Sequence, residues 1–109
     1  MAGKIVLEAI DFFEKQLEQN GLHVSKVILF GSQTKGDATV DSDIDIVVLS
    51  EDFRNKDIFE RALLIKDAEI LTIKKFMVPF DIITMTPEEF ESGSSLVGLY
   101  ASEGKVVYG

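Results

Sequence analysis

The chain has 109 residues, a formal net charge of −8 and no cysteine. This length favours one domain over residues 1–109, and an apolar content of 46% is typical of a globular protein rather than a disordered or fibrous one. The lack of cysteine excludes disulfides and thiolate metal sites. Any bound metal would therefore need oxygen ligands, which favours magnesium, manganese or calcium.

The acidic balance argues against DNA or RNA as a partner, because affinity for nucleic acid comes largely from neutralising phosphates. It fits a protein that gathers divalent cations, one that docks onto a basic protein, or one that is simply soluble. No apolar run reaches the roughly 18 residues of a membrane span. The apolar run at residues 5–10 contains Glu8, so it does not resemble a signal peptide. We therefore expect a cytoplasmic protein with no membrane partner.

The first half of the chain predicts a helix and two strands. Apolar residues recur with the helical period over residues 4–19, and Asn20-Gly21 is a typical helix stop. Residues 24–30 and 44–49 are apolar and β-branched, which predicts strands. The small polar residues between them indicate a loop or a short helical turn. A connection of this length allows either an antiparallel pair or a tight crossover, and the sequence leaves both open.

The second half predicts a long helix, a strand and short closing elements. Asn55 or Asp57 could cap a helix that runs to about residue 76. We expect its apolar rows to be marked by Ile58, Phe59, Ala62, Leu63, Lys66 and Ile70. Further elements follow in this order: a strand at 79–85, a short helix capped by Thr86 with Pro87 at its first position, a helix at 96–102, and a terminal strand or tail at 105–108. This order predicts a small α/β (α+β) domain whose mixed β-sheet is flanked by helices.

The most informative segment is Asp43-Ile44-Asp45 at the start of the second strand. Side chains alternate along a strand, so the two carboxylates point the same way, about 7 Å apart. They would repel each other near a core, and a divalent cation between them removes that cost. An Asp-x-Asp at a solvated strand end is common, however, and alone it is weak evidence for a metal site.

Two familiar loop motifs do not account for this segment. A calcium EF-hand loop beginning at Asp41 needs Gly at its sixth position and Glu at its twelfth, where Ile46 and Asp52 stand. A phosphate-binding P-loop beginning at Gly31 would continue after Gly36 with Lys and then Ser or Thr. Asp37 and Ala38 follow instead, so we reject both motifs.

Gly31-Ser32 comes directly after the first predicted strand. Glycine there allows close approach of a ligand to the backbone, and free N–H groups at a following helical turn would suit a phosphate. Lys35 could place a positive charge beside that phosphate or face solvent. Gly-Ser alone is an ordinary turn.

The combination of Gly31-Ser32, ten intervening residues and Asp43-x-Asp45 resembles the motif of the nucleotidyltransferase superfamily related to DNA polymerase beta. The chain is similar to the minimal nucleotidyltransferases of prokaryotes along most of its length. The family often has arginine where Gln33 or Lys35 stands here, a departure that bears on the phosphate contacts.

This resemblance implies a third carboxylate on a later strand, and Asp81 supplies it within residues 78–83. A charge in such an apolar strand is costly when unpaired. The structural alternative to a metal role is an ion pair with Lys74 or Lys75.

The resemblance further implies a two-metal transfer of AMP from ATP, or of another nucleotide from its triphosphate, to a hydroxyl. In that reading Asp43, Asp45 and Asp81 are catalytic magnesium ligands, and Gly31, Ser32 and Lys35 bind the nucleotide. No residues remain for an acceptor domain, so we expect the acceptor surface on a partner chain or in a homodimer.

For the minimal proteins the resemblance suggests an antitoxin role, with a helical HEPN-type toxin as partner and a tyrosine of that toxin as the acceptor. The competing hypotheses are a binding antitoxin that neutralises its partner by contact alone and a nucleotidyltransferase for small molecules.

Overall fold

The structure is a computed structural model that describes residues 3–30, 44–92 and 104–109. Several predicted features lie outside these ranges, namely Gly31, Ser32, Lys35, Asp43 and the helix at 96–102. The described residues form three α-helices, four strands and one 3-10 turn. The helices are α1 (Lys4–Gln19), α2 (Ile58–Phe76) and α3 (Pro87–Glu91). The strands are β1 (Lys26–Phe30), β2 (Ile44–Leu49), β3 (Phe80–Met85) and β4 (Lys105–Tyr108), and the 3-10 turn is Glu51–Phe53.

The four strands form one mixed sheet in the order β3-β2-β1-β4. β1 pairs antiparallel with β2 and with β4, which resolves the connection that the sequence left open. β2 and β3 are parallel, and α2 is the crossover that links them. The structure therefore confirms the predicted mixed sheet with flanking helices.

One face of the sheet packs against α1 and α2 and forms the main core. Ile44, Ile46 and Val48 face the helices from β2. The row on α1 consists of Val6, Ala9, Ile10, Phe13 and Leu17, as the period of residues 4–19 predicts. Each large side chain in this layer contributes about 1.5–3 kcal/mol by leaving water, so the layer fixes the register of the strands above it.

The start of α2 is as predicted, but its apolar rows are not. Asp57 is the N-cap, with a reciprocal capping box that includes Glu60. The buried row is Ile65, Ala68 and Thr72, whereas the predicted markers Ile58, Phe59, Ala62, Leu63, Lys66 and Ile70 are all exposed. The prediction was wrong because α2 carries apolar residues around most of its circumference, and periodicity alone cannot decide which side meets the sheet.

The opposite face of the sheet holds a smaller cluster of Ile28, Val47, Leu49 and Met85. Arg61 ties α2 to the end of β3 beside it, since its guanidinium donates to the Thr84 carbonyl at 3.2 Å and to Glu89 at 2.8 Å. The Arg61 side chain is only 13% exposed, which favours a lasting contact over a solvated one.

Glu14 is an exception in the core, because it is a carboxylate buried on the side of α1 that faces β4. One of its oxygens has no hydrogen-bond partner among the described residues. The nearby Tyr108 hydroxyl donates to Glu18 at 3.3 Å. Burial, followed by hydrogen bonding with Glu18 and the charges of Glu18 and Asp11, raises the pKa of Glu14 from 4.5 to about 7.

We expect Glu14 to destabilise the fold as pH rises. Its folded pKa exceeds its unfolded value, so the folded state is favoured below pH 4.5 and loses that advantage as pH passes about 7. The full penalty is about 3 kcal/mol. The Glu14→Gln variant should therefore have a higher free energy of unfolding than the wild type at pH 8 and a similar one at pH 5, measured by urea denaturation.

The control is Glu8→Gln, at an exposed position of the same helix. Its difference from the wild type should stay constant between pH 5 and pH 8. A pH-independent difference for Glu14→Gln would contradict the assignment of a raised pKa.

Candidate functional site

Two predicted site residues, Asp45 and Asp81, are neighbours across the β2–β3 pair. The parallel register makes Asp81 the Cα partner of Asp45, and Phe30 of β1 is opposite Asp45 on the other side. Alternation along each strand places both carboxylates on the face of Val47 and Ile83, away from α1 and α2. The sheet thus brings together two aspartates that are 36 positions apart in sequence.

These residues lie at the end of the sheet where β1 stops and both β2 and β3 begin. We call this place, with Asp45 and Asp81, the carboxylate edge. The Ile44 N–H donates to the Pro79 carbonyl at 2.9 Å, which joins the first residues of β2 to the chain entering β3. Gly31 follows the last residue of β1 and Asp43 precedes the first residue of β2. Both residues lie outside the described ranges, as do Ser32 and Lys35, so their predicted roles stay predictions.

Among the described residues, three acidic groups lie at or near this edge. Like charges on directly opposite strand residues repel, and Asp45 and Asp81 occupy such positions. Glu69 of α2 adds a third acidic group. Burial, and then the negative charge of Asp81, raise the pKa of the Glu69 carboxyl. No sequence pattern singles out Glu69, because only the crossover from β2 to β3 brings it near Asp81.

The surroundings of Asp81 differ from those that the sequence predicts. It is exposed, because β3 is an edge strand, so the burial cost expected for a charge in an apolar strand does not arise. The lysine alternative is also wrong. The ammonium of Lys75 lies 4.5 Å from the Phe12 ring centre, and no ion pair among the described residues involves Asp81.

The described residues do not by themselves form a metal site. No group of three or more His, Cys, Asp or Glu residues within 3–30, 44–92 and 104–109 is arranged to hold a metal ion. Asp45 and Asp81 supply the carboxylate oxygens that a hard divalent cation prefers, and a cation would cancel their repulsion. The residues present therefore fit such an ion.

A surface pocket of about 230 Å³ lies at the other end of β2. It is lined by Asn20, Gly21, Leu22, Asp52, Lys56 and Leu64. Asp52 lies three residues beyond the end of β2, whereas Asp45 is the second residue of that strand. The pocket is therefore separate from the carboxylate edge and contributes no group to it.

Comparison with solved structures finds a similar fold in two toxin–antitoxin structures. A toxin–antitoxin complex with AMP-PNP aligns with a TM-score of 0.64 and 23% identity, over 91% of this chain and 72% of the other. The pair MntA-HpeT, in a variant with two aspartate-to-glutamate substitutions, aligns with a TM-score of 0.61 and 20% identity, over 91% and 71%.

The same architecture extends to a protein of another kind. The BolA domain of SufE1 from Arabidopsis thaliana aligns with a TM-score of 0.55 and 18% identity, over 82% of this chain and 99% of the other. The shape of the sheet therefore does not decide the activity. No curated protein sequence matches the chain at a significant level. No helix in the described part of the chain is long and apolar enough to cross a membrane.

The family comparison is more specific than the fold. The family described as "Nucleotidyltransferase domain" matches residues 10–103, a span that runs from α1 to just before β4 and includes Gly31-Ser32, Asp43-x-Asp45 and Asp81. Together with the two aspartates that β2 and β3 bring side by side, this match shows that the chain belongs to the nucleotidyltransferase domain family.

Proposed function

We propose that this protein is a magnesium-dependent nucleotidyltransferase that transfers AMP from ATP to a hydroxyl acceptor. The observation that supports it best is the register of β2 and β3, which makes Asp45 and Asp81 direct neighbours at one sheet edge. Two adjacent carboxylates are poor neighbours alone and good ligands for a hard cation. Asp43, two residues before Asp45, would complete the set.

In this proposal each residue group has a separate task. Asp43, Asp45 and Asp81 hold magnesium, which supplies charge neutralisation at the reacting phosphates. Gly31 and Ser32 bind the β- and γ-phosphates through backbone N–H groups and the serine hydroxyl, with Lys35 beside them. Asp81 lies closest to the acceptor and takes the proton from the attacking hydroxyl.

The transfer is an in-line displacement at the α-phosphorus. The acceptor oxygen forms a new P–O bond, the bond to the β-phosphate oxygen breaks, and pyrophosphate leaves with that electron pair. The acceptor proton passes to Asp81 and then to solvent, so charge and atoms balance. The exposure of Asp81 leaves room for an acceptor hydroxyl to reach its carboxylate.

We further propose that the acceptor belongs to a toxin, and that this chain acts as its antitoxin. The support is the likeness to the two toxin–antitoxin structures, one of which contains a nucleotide analogue. The MntA-HpeT variant has its two substituted aspartates two positions apart, the spacing of Asp43 and Asp45. A tyrosine hydroxyl on a helical HEPN-type partner would provide the nucleophile.

Metal binding should stabilise the wild-type fold through Asp81. Without divalent cations, Asp81→Asn should melt slightly higher than the wild type, because one like-charge contact worth about 0.2–1 kcal/mol is removed. With millimolar Mg²⁺ or Mn²⁺ the wild type should gain stability and Asp81→Asn should gain far less. Differential scanning calorimetry measures both effects.

The matched control for this experiment is Asp67→Asn, at an exposed position of α2. It should respond to the metal as the wild type does. If Asp81→Asn gains as much stability from the metal as the wild type, the proposed site is wrong.

Activity is tested by co-expressing this chain with a helical toxin partner encoded beside it. We expect an added AMP on the partner by intact-mass analysis, and we expect Asp45→Asn to lower the rate of transfer at least about 100-fold, equivalent to about 2.7 kcal/mol. Asp67→Asn is again the control.

The same cells distinguish catalysis from contact. If Asp45→Asn neutralises the toxin as fully as the wild type while no AMP is transferred, binding alone accounts for the antitoxin role and the catalytic proposal fails. Loss of both neutralisation and AMP transfer supports it.

A further inference from the structure

The outer side of α2 is unusually apolar for a surface helix. Phe59 is 78% exposed, Leu63 70% and Ile70 41%, and Met77 at the C-cap is 81% exposed. These side chains lie opposite the buried row of Ile65, Ala68 and Thr72 described above. Single exposed apolar residues are ordinary, but a continuous row of them along one helix indicates a binding surface.

The spacing of this row identifies the kind of partner that it fits. Phe59, Leu63, Lys66, Ile70, Ile73 and Met77 follow one another at intervals of four, three, four, three and four residues. Ile73 is half-buried, and the other five are exposed. Alternation of four and three is the pattern of a helix that packs lengthwise against another helix. We call these six residues the α2 seam. Its one charged member, Lys66, can lay its aliphatic stem along a neighbour while its ammonium reaches solvent.

The charges beside the α2 seam match a second copy of the same helix in reverse direction. Glu60 lies near the start of α2 and Lys74 near its end, on the same side of the seam as Asp67. When a second α2 runs antiparallel, Glu60 of each copy comes beside Lys74 of the other, and the two Asp67 side chains come beside each other near the two-fold axis. The exposed charges of Glu60, Lys66, Asp67 and Lys74 sum to zero, whereas the whole chain carries −8. A basic partner would therefore bind better to another part of the surface, where the acidic residues outnumber the basic ones.

The antiparallel arrangement also matches the seam residues to one another. With the two-fold axis near Ala68, Phe59 meets Met77 of the second copy, Leu63 meets Ile73, and Lys66 meets Ile70. Large side chains then fill each layer, and the sulfur of Met77 lies against an aromatic ring, a favourable contact. A parallel pair would instead place Lys66 against Lys66 and Glu60 against Glu60.

We propose that two copies of this protein associate through an antiparallel pairing of their α2 seams. The pairing leaves the carboxylate edge uncovered, because α2 packs on one face of the sheet while Asp45 and Asp81 lie on the other. The dimer therefore does not depend on the proposed catalytic function. A single helix pair is a small interface, which predicts a dissociation constant in the micromolar range.

The experiment measures molar mass by light scattering during size-exclusion chromatography, from about 10 to 500 μM protein, a range set by the expected affinity. The wild type should shift towards twice the monomer mass of 12.1 kDa as concentration rises. Leu63→Lys should remain a monomer throughout. Because Leu63 is largely exposed, this variant should fold normally, which circular dichroism checks.

The matched control is Ile5→Lys on α1, at a position that is 52% exposed but outside the seam. It should dimerise like the wild type. Equal loss of association in both variants would indicate non-specific stickiness and overturn the proposal. A wild type that stays monomeric at the highest concentration would also overturn the proposal, and would indicate that the seam binds a different protein.

Cross-linking tests the direction of the pair. The chain has no cysteine, so introduced thiols are the only ones. A mixture of Leu63→Cys and Ile73→Cys proteins should form disulfide-linked dimers on mild oxidation, because these positions face each other in the antiparallel register. Leu63→Cys alone should cross-link much less, since its two copies are about 15 Å apart along the axis. Efficient cross-linking of Leu63→Cys to itself would contradict the antiparallel arrangement.

Discussion

The parallel pairing of β2 with β3 is the contact on which the rest of the molecule depends. It is the only parallel pair in the described sheet, and it requires α2 as a crossover. The buried row of α2 packs on the sheet, and Arg61 fixes its first turns to the end of β3. The register of the β2–β3 pair places Asp45 beside Asp81. A slip of one residue would turn one of the two carboxylates to the helical face and separate the pair.

The two faces of the sheet have different roles because the α2 crossover packs on only one of them. Helices α1 and α2 bury the face of Ile44, Ile46 and Val48, so the stability of the domain is concentrated there. The opposite face carries the aspartates beside a smaller apolar cluster. Charges that repel one another are tolerated at a sheet edge where Asp81 is exposed, and they would not be tolerated inside the helical layer.

Much of this arrangement was predictable from local patterns. Residues 4–19, the 44–49 strand, Asp57 as a cap and Thr86-Pro87 as a helix start all carry strong local chemistry, and each appears where it was expected. The buried side of α2 was not predictable, because apolar residues lie on both of its sides and only tertiary packing selects one. The exposure of Asp81 likewise depends on β3 being an edge strand, which sequence spacing does not encode. The nucleotidyltransferase motif identified the family although Gly31, Ser32 and Asp43 lie outside the described ranges.

The central claim is that Asp45 and Asp81 share one divalent cation. A double-mutant cycle on Mn²⁺ affinity, measured by calorimetry for the wild type, Asp45→Asn, Asp81→Asn and the double variant, tests it most directly. If both carboxylates bind the same ion, each single substitution should weaken binding strongly, and the double variant should be little weaker than either single one. Purely additive losses, or unchanged affinity in either single variant, would contradict the shared site.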